Sequence, residues 1–384
     1  MSSGLLILGA SVRAAAFSAL RAGVVPRCAD LFADVDLRRL ADASAVDCYP
    51  EGLLAVAREN RPETWMYTGG LENHPRLVDQ IAAECPLAGN GGDVLRAVRD
   101  PQRLAGALRD CGLAVPSISP TSEGVPGDGS WLEKPLQGSG GAGISLWLGP
   151  HQQPTPPETA RCYFQQHVEG VSCSAVYIAA RSEAVLLGAS RQLVGIEWAA
   201  ARQFHYAGSI GPLALKPTLR EQFEAIGRVL AREFKLVGLF GVDAVISGSK
   251  VYTIEVNPRY TASVEVLERA GAFSAVGLHL AACLGSELPA PESLGGPRRR
   301  HAQWGKCILF ARRDVTVNEA FEQCAAESMR HGLNADLADI PPFGAAISAG
   351  RPITTVFAKA EDYASVLRAL QQRVAHIERT MAAL

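Results

Sequence analysis

The chain has no CxxC pair, although it contains nine cysteines, at 28, 48, 85, 111, 162, 173, 283, 307 and 324. The number is odd and no histidine lies at zinc-ligand spacing, so neither a disulfide framework nor a zinc finger is indicated. In a chain of 384 residues such cysteines read as reduced thiols filling cores. No window holds eighteen apolar residues, which excludes a membrane-spanning helix from the reading. The N-terminus, MSSGLLILGAS, lacks a basic region, and its apolar run is too short for a signal peptide. Excess charge is missing too. With 37 basic against 39 acidic side chains the net charge is −2, so there is no bulk attraction to nucleic acid or to an anionic membrane. The basic run Arg298–Arg300 follows a Pro/Gly-rich linker and reads as a solvated segment. These absences leave a cytoplasmic protein as the expectation.

What is present points to a soluble globular chain: 48% of residues are apolar and 20% charged. The length implies several cores. Residues 1–96 begin with a buried strand, a glycine turn and an alanine-rich helix, followed by "VPRCADLF" and "ETWMYTG" as second and third strands. Strands and helices alternating at this spacing predict a parallel, Rossmann-like α/β sheet. The first turn, Gly9-Ala-Ser-Val-Arg13, lacks the later glycines of a dinucleotide fingerprint. The polar stretch "GGLENHP" (69–75) lies where such sheets build binding crevices. A proline-rich connection follows at 150–160. A second linker at 285–300 separates residues 97–290 from an α+β segment, 291–384.

Residues 131–147, WLEKPLQGSGGAGISLW, crowd glycines around Ser139, with Lys134 upstream. A Walker loop places lysine after its glycines, and here it comes before them. The alternation of Ile144, Leu146 and Trp147 with Ser145 predicts a strand after the loop, so the glycines form a turn between two strands. Such a turn either aims backbone N–H groups at an anion or binds nothing.

Residues 240–259, FGVDAVISGSKVYTIEVNPR, narrow that choice. Both halves alternate apolar and polar residues and predict a hairpin. A three-residue loop over 248–250 would set Ile246, Ala244 and Val242 opposite Tyr252, Ile254 and Val256. The same register sets Asp243 opposite Glu255, with Asn257 further along that face. A two-residue loop would throw the two carboxylates to opposite faces. Paired carboxylates are costly unless a cation joins them, and an all-oxygen set with open positions suits Mg²⁺ (or Mn²⁺) carrying phosphates. The bland alternative is a solvated hairpin face.

A lysine strand, a glycine-rich lid and a hairpin bearing Asp, Glu-x-Asn-x-Arg resemble the ATP-grasp superfamily. The C-terminal "ADIPPFGAAISAGRPITTVFA" is similar to the closing domain of its biotin carboxylase and carboligase branch. The resemblance implies an ATP-grasp fold over 97–290, between the N-terminal Rossmann-like domain and the small C-terminal α+β domain. It implies that Lys134 and the backbone of Gly138, Ser139, Gly140 and Gly141 contact ATP phosphates. Gln165 and the backbone from Gln166 to Val168 would face adenine. Asp243, Glu255 and Asn257 would hold Mg²⁺, and Arg259 would stabilise the transferring group. Where the family has Asp-Lys, this chain has Asp100-Pro101, which leaves Arg103 as the substitute cation. Gln165 and Ser172 stand where the family commonly has glutamates.

The implied activity is an ATP-dependent carboxylate–amine ligase acting through an acyl phosphate. Ser11, Arg13, Arg191, Arg202 and Tyr206 are its candidate substrate residues, each open to a purely structural reading. His167 and His205 are read as local hydrogen-bonding groups. "GASVRAAAF", "DLFADVDL" and "YTGGLENHP" resemble ligases that add glutamate to methanopterin- and methanofuran-linked one-carbon cofactors. Bicarbonate activation in the manner of biotin carboxylase, and a catalytically inactive nucleotide-binding module, are the competing readings. Dimers are common in the superfamily, and a homodimer is expected on that ground.

Overall fold

The computed structural model describes residues 4–150, 161–271, 273–290 and 302–382. The run 298–300 and the greater part of both linkers lie outside the described residues. A four-stranded parallel sheet opens the chain: β1 (Leu5–Leu8), β2 (Arg27–Asp30), β3 (Asp42–Ala45) and β4 (Thr64–Tyr67), in the order β3-β2-β1-β4. The expected third strand is therefore the fourth. The extra one, β3, is a short, largely exposed edge whose Asp-Ala-Ser-Ala sequence carries no apolar alternation.

A small antiparallel sheet follows, ordered β5-β8-β6-β7: β5 (Ile118–Ser119), β6 (Trp131–Pro135), β7 (Ser145–Leu146) and β8 (Cys162–Gln166). The glycine loop is the turn between β6 and β7, as its alternation requires.

The largest sheet has eight strands. β9 (Val171–Ala180), β10 (Glu183–Val194), β11 (Tyr206–Gly211), β12 (Gly238–Ser247) and β13 (Lys250–Asn257) are joined by β14 (Gln303–Phe310). β15 (Val315–Thr316) leaves the sheet to pair with β17 (Ala346–Ile347), while β16 (Leu337–Ala338) and β18 (Pro352–Ala360) complete it. The order β13-β12-β9-β10-β11-β14-β18-β16 runs unbroken through the expected boundary near 290, because β11 pairs directly with β14.

Strand β9 shows why this sheet is stable. Its alternate residues Ala175, Tyr177 and Ala179 pack with Phe223, Ile226 and Leu230 of the helix Pro217–Phe234. Val176, Ile178 and Ala180 face the other way, into a core shared with Leu5, Ile7 and Val12 of the first domain. A strand buried on both faces reads as a nearly continuous apolar run. The N-terminal sheet is thereby docked onto the large one, and the ends of β1 and β4 face the hairpin β12–β13. No helix among the described residues is long and apolar enough to cross a membrane.

Candidate active site

The hairpin reaches the expected result by another route. Its turn is two residues long, with Ser247 opposite Lys250 and Gly248 at φ +61°. That register alone would separate the carboxylates. A bulge corrects it: Ala244 pairs with Thr253 and Asp243 with Glu255, so Ile254 is the extra residue. The freed Ile254 carbonyl accepts from Gln165 Nε2 at 3.2 Å. Asn257 Nδ2 donates to Asp243 Oδ2 (3.1 Å) and Glu255 Oε1 (3.3 Å), and Gln192 Nε2 donates to Asp243 Oδ1 (2.8 Å).

Burial, then repulsion from Glu255, pushes the Asp243 carboxyl up to about 7. Burial alone would raise Glu255 as well, but Lys134, Arg99, Asn257 and Arg259 outweigh it and hold Glu255 low. Among the described residues no group of three or more His, Cys, Asp and Glu side chains is placed to enclose a metal. Two adjacent carboxylates at the wall of a cavity instead fit a hard dication that keeps positions for phosphate oxygens and water, while Asn257 turns its Nδ2 towards them and its Oδ1 accepts from Arg259 at 3.1 Å.

Lys134 is buried and donates to Gln165 Oε1 at 3.0 Å, with its ammonium over the Tyr163 ring. The Gln165 side chain therefore fixes the lysine and the bulge. Gln166 turns outward, accepting from the Ser117 N–H at 3.3 Å, and Val168 is half-buried in the bend before β9. Arg103 does not line the cavity that holds Lys134 and the glycine loop. Arg103 is exposed and lies over the Phe234 ring. Arg99, one turn earlier, lines a narrow cavity of ≈ 50 Å³ together with Pro101, Lys134, the glycine loop and Glu255. Its guanidinium donates to Asn73 Oδ1 (2.9 Å) and to the Gly138 carbonyl (3.3 Å). The loop itself is closed: the Tyr206 N–H donates to the Gly140 carbonyl at 3.0 Å, and Gly141 packs on the carbonyl of Phe204.

Residues 98–263 match the family model of the ATP-grasp domain. The chain carries an ATP-grasp domain. Its fold likeness extends further. N5-carboxyaminoimidazole ribonucleotide synthetase from Thermus thermophilus superposes with a TM-score of 0.68 at 17% identity, over 99% of both chains. Biotin carboxylase from Campylobacter jejuni, solved as a β,γ-ATP complex, gives 0.66 at 14% identity, over 95% of this chain and 89% of that one. An uncharacterized protein of Methanocaldococcus jannaschii is 27% identical over 247 residues, 64% of this chain. That match spans 55% of the relative, so the chain covers about half its length.

Beyond the Asp243–Glu255 hairpin lies a cavity of ≈ 440 Å³, walled by the N-terminal domain, the glycine loop and the C-terminal strands. Arg259 and Tyr206 line it, as does Ser11 at its N-terminal edge. The Tyr206 hydroxyl is hydrogen-bonded to Ser209 at 2.8 Å. Three expected substrate residues are placed otherwise. Arg13 borders the cavity but is committed to carboxylates: Nε donates to Asp339 Oδ1 (2.9 Å) and Nη2 to Glu265 Oε2 (3.0 Å), with Nη1 also on Glu265. Arg191 points to the opposite face of β10 and lies over the Tyr363 ring at 4.5 Å. Its neighbour Gln192 takes the site face, as strand alternation demands. Arg202 is exposed and lies against Gly350. His167 stands edge-on to Phe204, and its backbone N–H bonds Ser130, a local role.

The sequence reading missed Arg99, Gln192 and Glu72. Glu72 is fully buried and forms a 2.5 Å ion pair with Arg259. Only the position of "GGLENHP" at the end of β4 signalled it.

Proposed function

We propose that this chain is an ATP- and Mg²⁺-dependent carboxylate–amine ligase acting through an acyl phosphate. One observation carries the reading. Lys134, Ser139, Gly140, Gly141 and Glu255 line both the narrow cavity and the large one. A phosphate donor held in the first therefore meets a small molecule held in the second at the Asp243–Glu255–Asn257 hairpin.

The chemistry balances in two displacements. A substrate carboxylate oxygen attacks the γ-phosphorus, the bond to the β-phosphate oxygen breaks, and ADP leaves. The amine nitrogen then attacks the acyl carbon, the carbon–oxygen bond to phosphate breaks, and the amine proton passes to the departing phosphate or to solvent. Asp243 and Glu255, with the Asn257 amide turned to present its oxygen, would hold the dication, which would supply charge neutralisation on the phosphates. Lys134 and Arg99 add fixed positive charge on the donor side, and Arg259 on the acceptor side. The closed glycine loop, pinned by Tyr206, keeps water from the acyl phosphate.

The N-terminal segments similar to one-carbon cofactor ligases support a finer reading, in which an amino acid such as glutamate is joined to a cofactor precursor. ADP release from ATP and Mg²⁺ should be measured across pairs of acids and amines, beside Glu255→Gln. With an ¹⁸O-labelled carboxylate, one label should appear in the released phosphate, and the variant should be inactive. ADP release driven by bicarbonate alone, or phosphate without label, would overturn the proposal.

A further inference from the structure

The large cavity has a second charged end that phosphoryl transfer does not use. Lys306 on β14 and Asp339, just after β16, both line it at the far side from Glu255. Lys306 is buried, and among the described residues one of its three donors is engaged, by Glu265 Oε2 at 3.3 Å. Asp339 is held in a left-handed backbone conformation, φ +54°, by Asp36, whose Oδ2 accepts its N–H at 3.1 Å. Its carboxylate accepts from Arg13 and, at 2.6 Å, from Thr355 Oγ1. At 27% side-chain exposure it is nonetheless far more open than Arg13, Asp36 or Glu265 behind it. Between the two ends, Thr261 also lines the cavity. It is 6% exposed, and its hydroxyl has no hydrogen-bond partner among the described residues.

Among the described residues no ion pair joins Lys306 to Asp339, although both face one cavity. A cation alone would meet Lys306 and an anion alone would meet Asp339. Behind them Arg13, Arg269 and Lys306 pair with Asp36, Glu265 and Asp339, and the buried carboxyls of Asp30 and Asp34 lie in the same field. A ligand carrying an ammonium and a carboxylate on one carbon satisfies both groups at once.

We infer that this end of the cavity binds the head group of a free α-amino acid, its carboxylate on Lys306 and its ammonium on Asp339. The place of that amino acid in the reaction rests on the ligase reading; its binding does not. Titration calorimetry on the full chain without ATP should find an amino acid that binds, tested one at a time at millimolar concentration. Its N-acetyl and carboxamide derivatives should each bind roughly ten- to a hundredfold more weakly, the cost of one charge-assisted contact. In Lys306→Met the carboxamide should bind as well as the parent, and in Asp339→Asn the N-acetyl derivative should.

If no amino acid binds wild type, or either derivative binds wild type as well as the parent, the inference falls. This comparison holds even where a variant does not fold. Discriminating binding without ADP release from any acid–amine pair would sink the ligase reading and leave the subsite standing. ADP release from a pair containing no amino acid, with none bound, would do the reverse.

Discussion

At the scale of single residues, the replacement of the family's Asp-Lys by Asp100-Pro101 is the departure that matters most. The Asp100 side chain caps the helix Pro101–Asp110, accepting from the N–H groups of Gln102 and Arg103 at 2.9 and 3.0 Å, and Pro101 occupies the first helical position. The position is thus optimised for starting a helix and carries no charge. Arg99, just before the cap, places a positive charge against the carbonyl of Gly138. Arg99→Ala should weaken ATP binding by roughly ten- to a hundredfold, the range for a charge-assisted contact. Arg103→Ala should change it by no more than about twofold, as is usual for an exposed side chain. A fluorescent ATP analogue titrated against both variants checks this, and the opposite ranking would return the role to Arg103. The sequence offers no means of choosing between them. Helical periodicity orders residues inside a helix, and Arg99 precedes the cap that sets its phase.

Among the elements, the glycine loop and the β12–β13 hairpin show how backbone geometry places the candidate groups. Gly141 has φ +83°, and a methyl group there would overlap the Phe204 carbonyl oxygen in the closed loop. Gly141→Ala should therefore leave nucleotide binding by the open protein within a few-fold while lowering kcat by roughly a hundredfold, the cost of misplacing reacting groups. Comparing ATP affinity with single-turnover ADP formation separates the two effects. Equal loss of both would mean that the loop binds nucleotide without closing. The hairpin was legible in part. Alternation over 242–246 and 252–256 revealed both strands, and apolar matching placed Asp243 opposite Glu255, as observed. The turn was not legible, because Gly-Ser suits two- and three-residue loops alike and a bulge has no sequence mark of its own. Two misreadings cancelled: one residue fewer in the turn and one extra in the strand. Arg191 is an expected substrate residue, yet the alternation of β10 puts its neighbour Gln192 on the site face and the arginine against Tyr363. Strand β3 escaped notice because an exposed four-residue edge needs no apolar pattern.

On the scale of the whole molecule, the N-terminal domain reaches the catalytic centre through buried polar contacts, and these make testable demands. His279 accepts from the Leu239 N–H of β12 at 2.9 Å and bonds the Ala88 carbonyl at 3.0 Å, tying the first domain to the large sheet. Burial depresses its pKa to about 4 from 6.5. Below 6.5 the unfolded chain takes up a proton that the native state refuses until about 4, so stability present above 6.5 is lost as the pH falls through this window. The loss should approach about 3 kcal/mol. Urea midpoints across that range should show it, and His279→Gln should flatten the dependence; an unchanged slope would assign acid sensitivity to other groups.

Glu72 makes the sharper demand. It leaves the N-terminal domain to pair with Arg259, while its neighbour Asn73 donates to the lid carbonyl of Gly138 at 3.3 Å. One short segment thus holds both Arg259 and the glycine loop. Glu72→Ala leaves the Arg259 charge buried and unpaired, which should destabilise the fold by about 3–5 kcal/mol. Removing both charges, in Glu72→Leu with Arg259→Met, should recover most of that loss, since a packed apolar pair often matches a buried ion pair. If Arg259 serves the transfer, the recovered protein should still bind ATP and release no ADP with any acid–amine pair. The urea midpoint reads the first effect, and ADP release reads the second. A double variant both stable and active would reduce Arg259 to a strut between domains, and leave Lys134, Arg99 and the hairpin to carry the reaction alone.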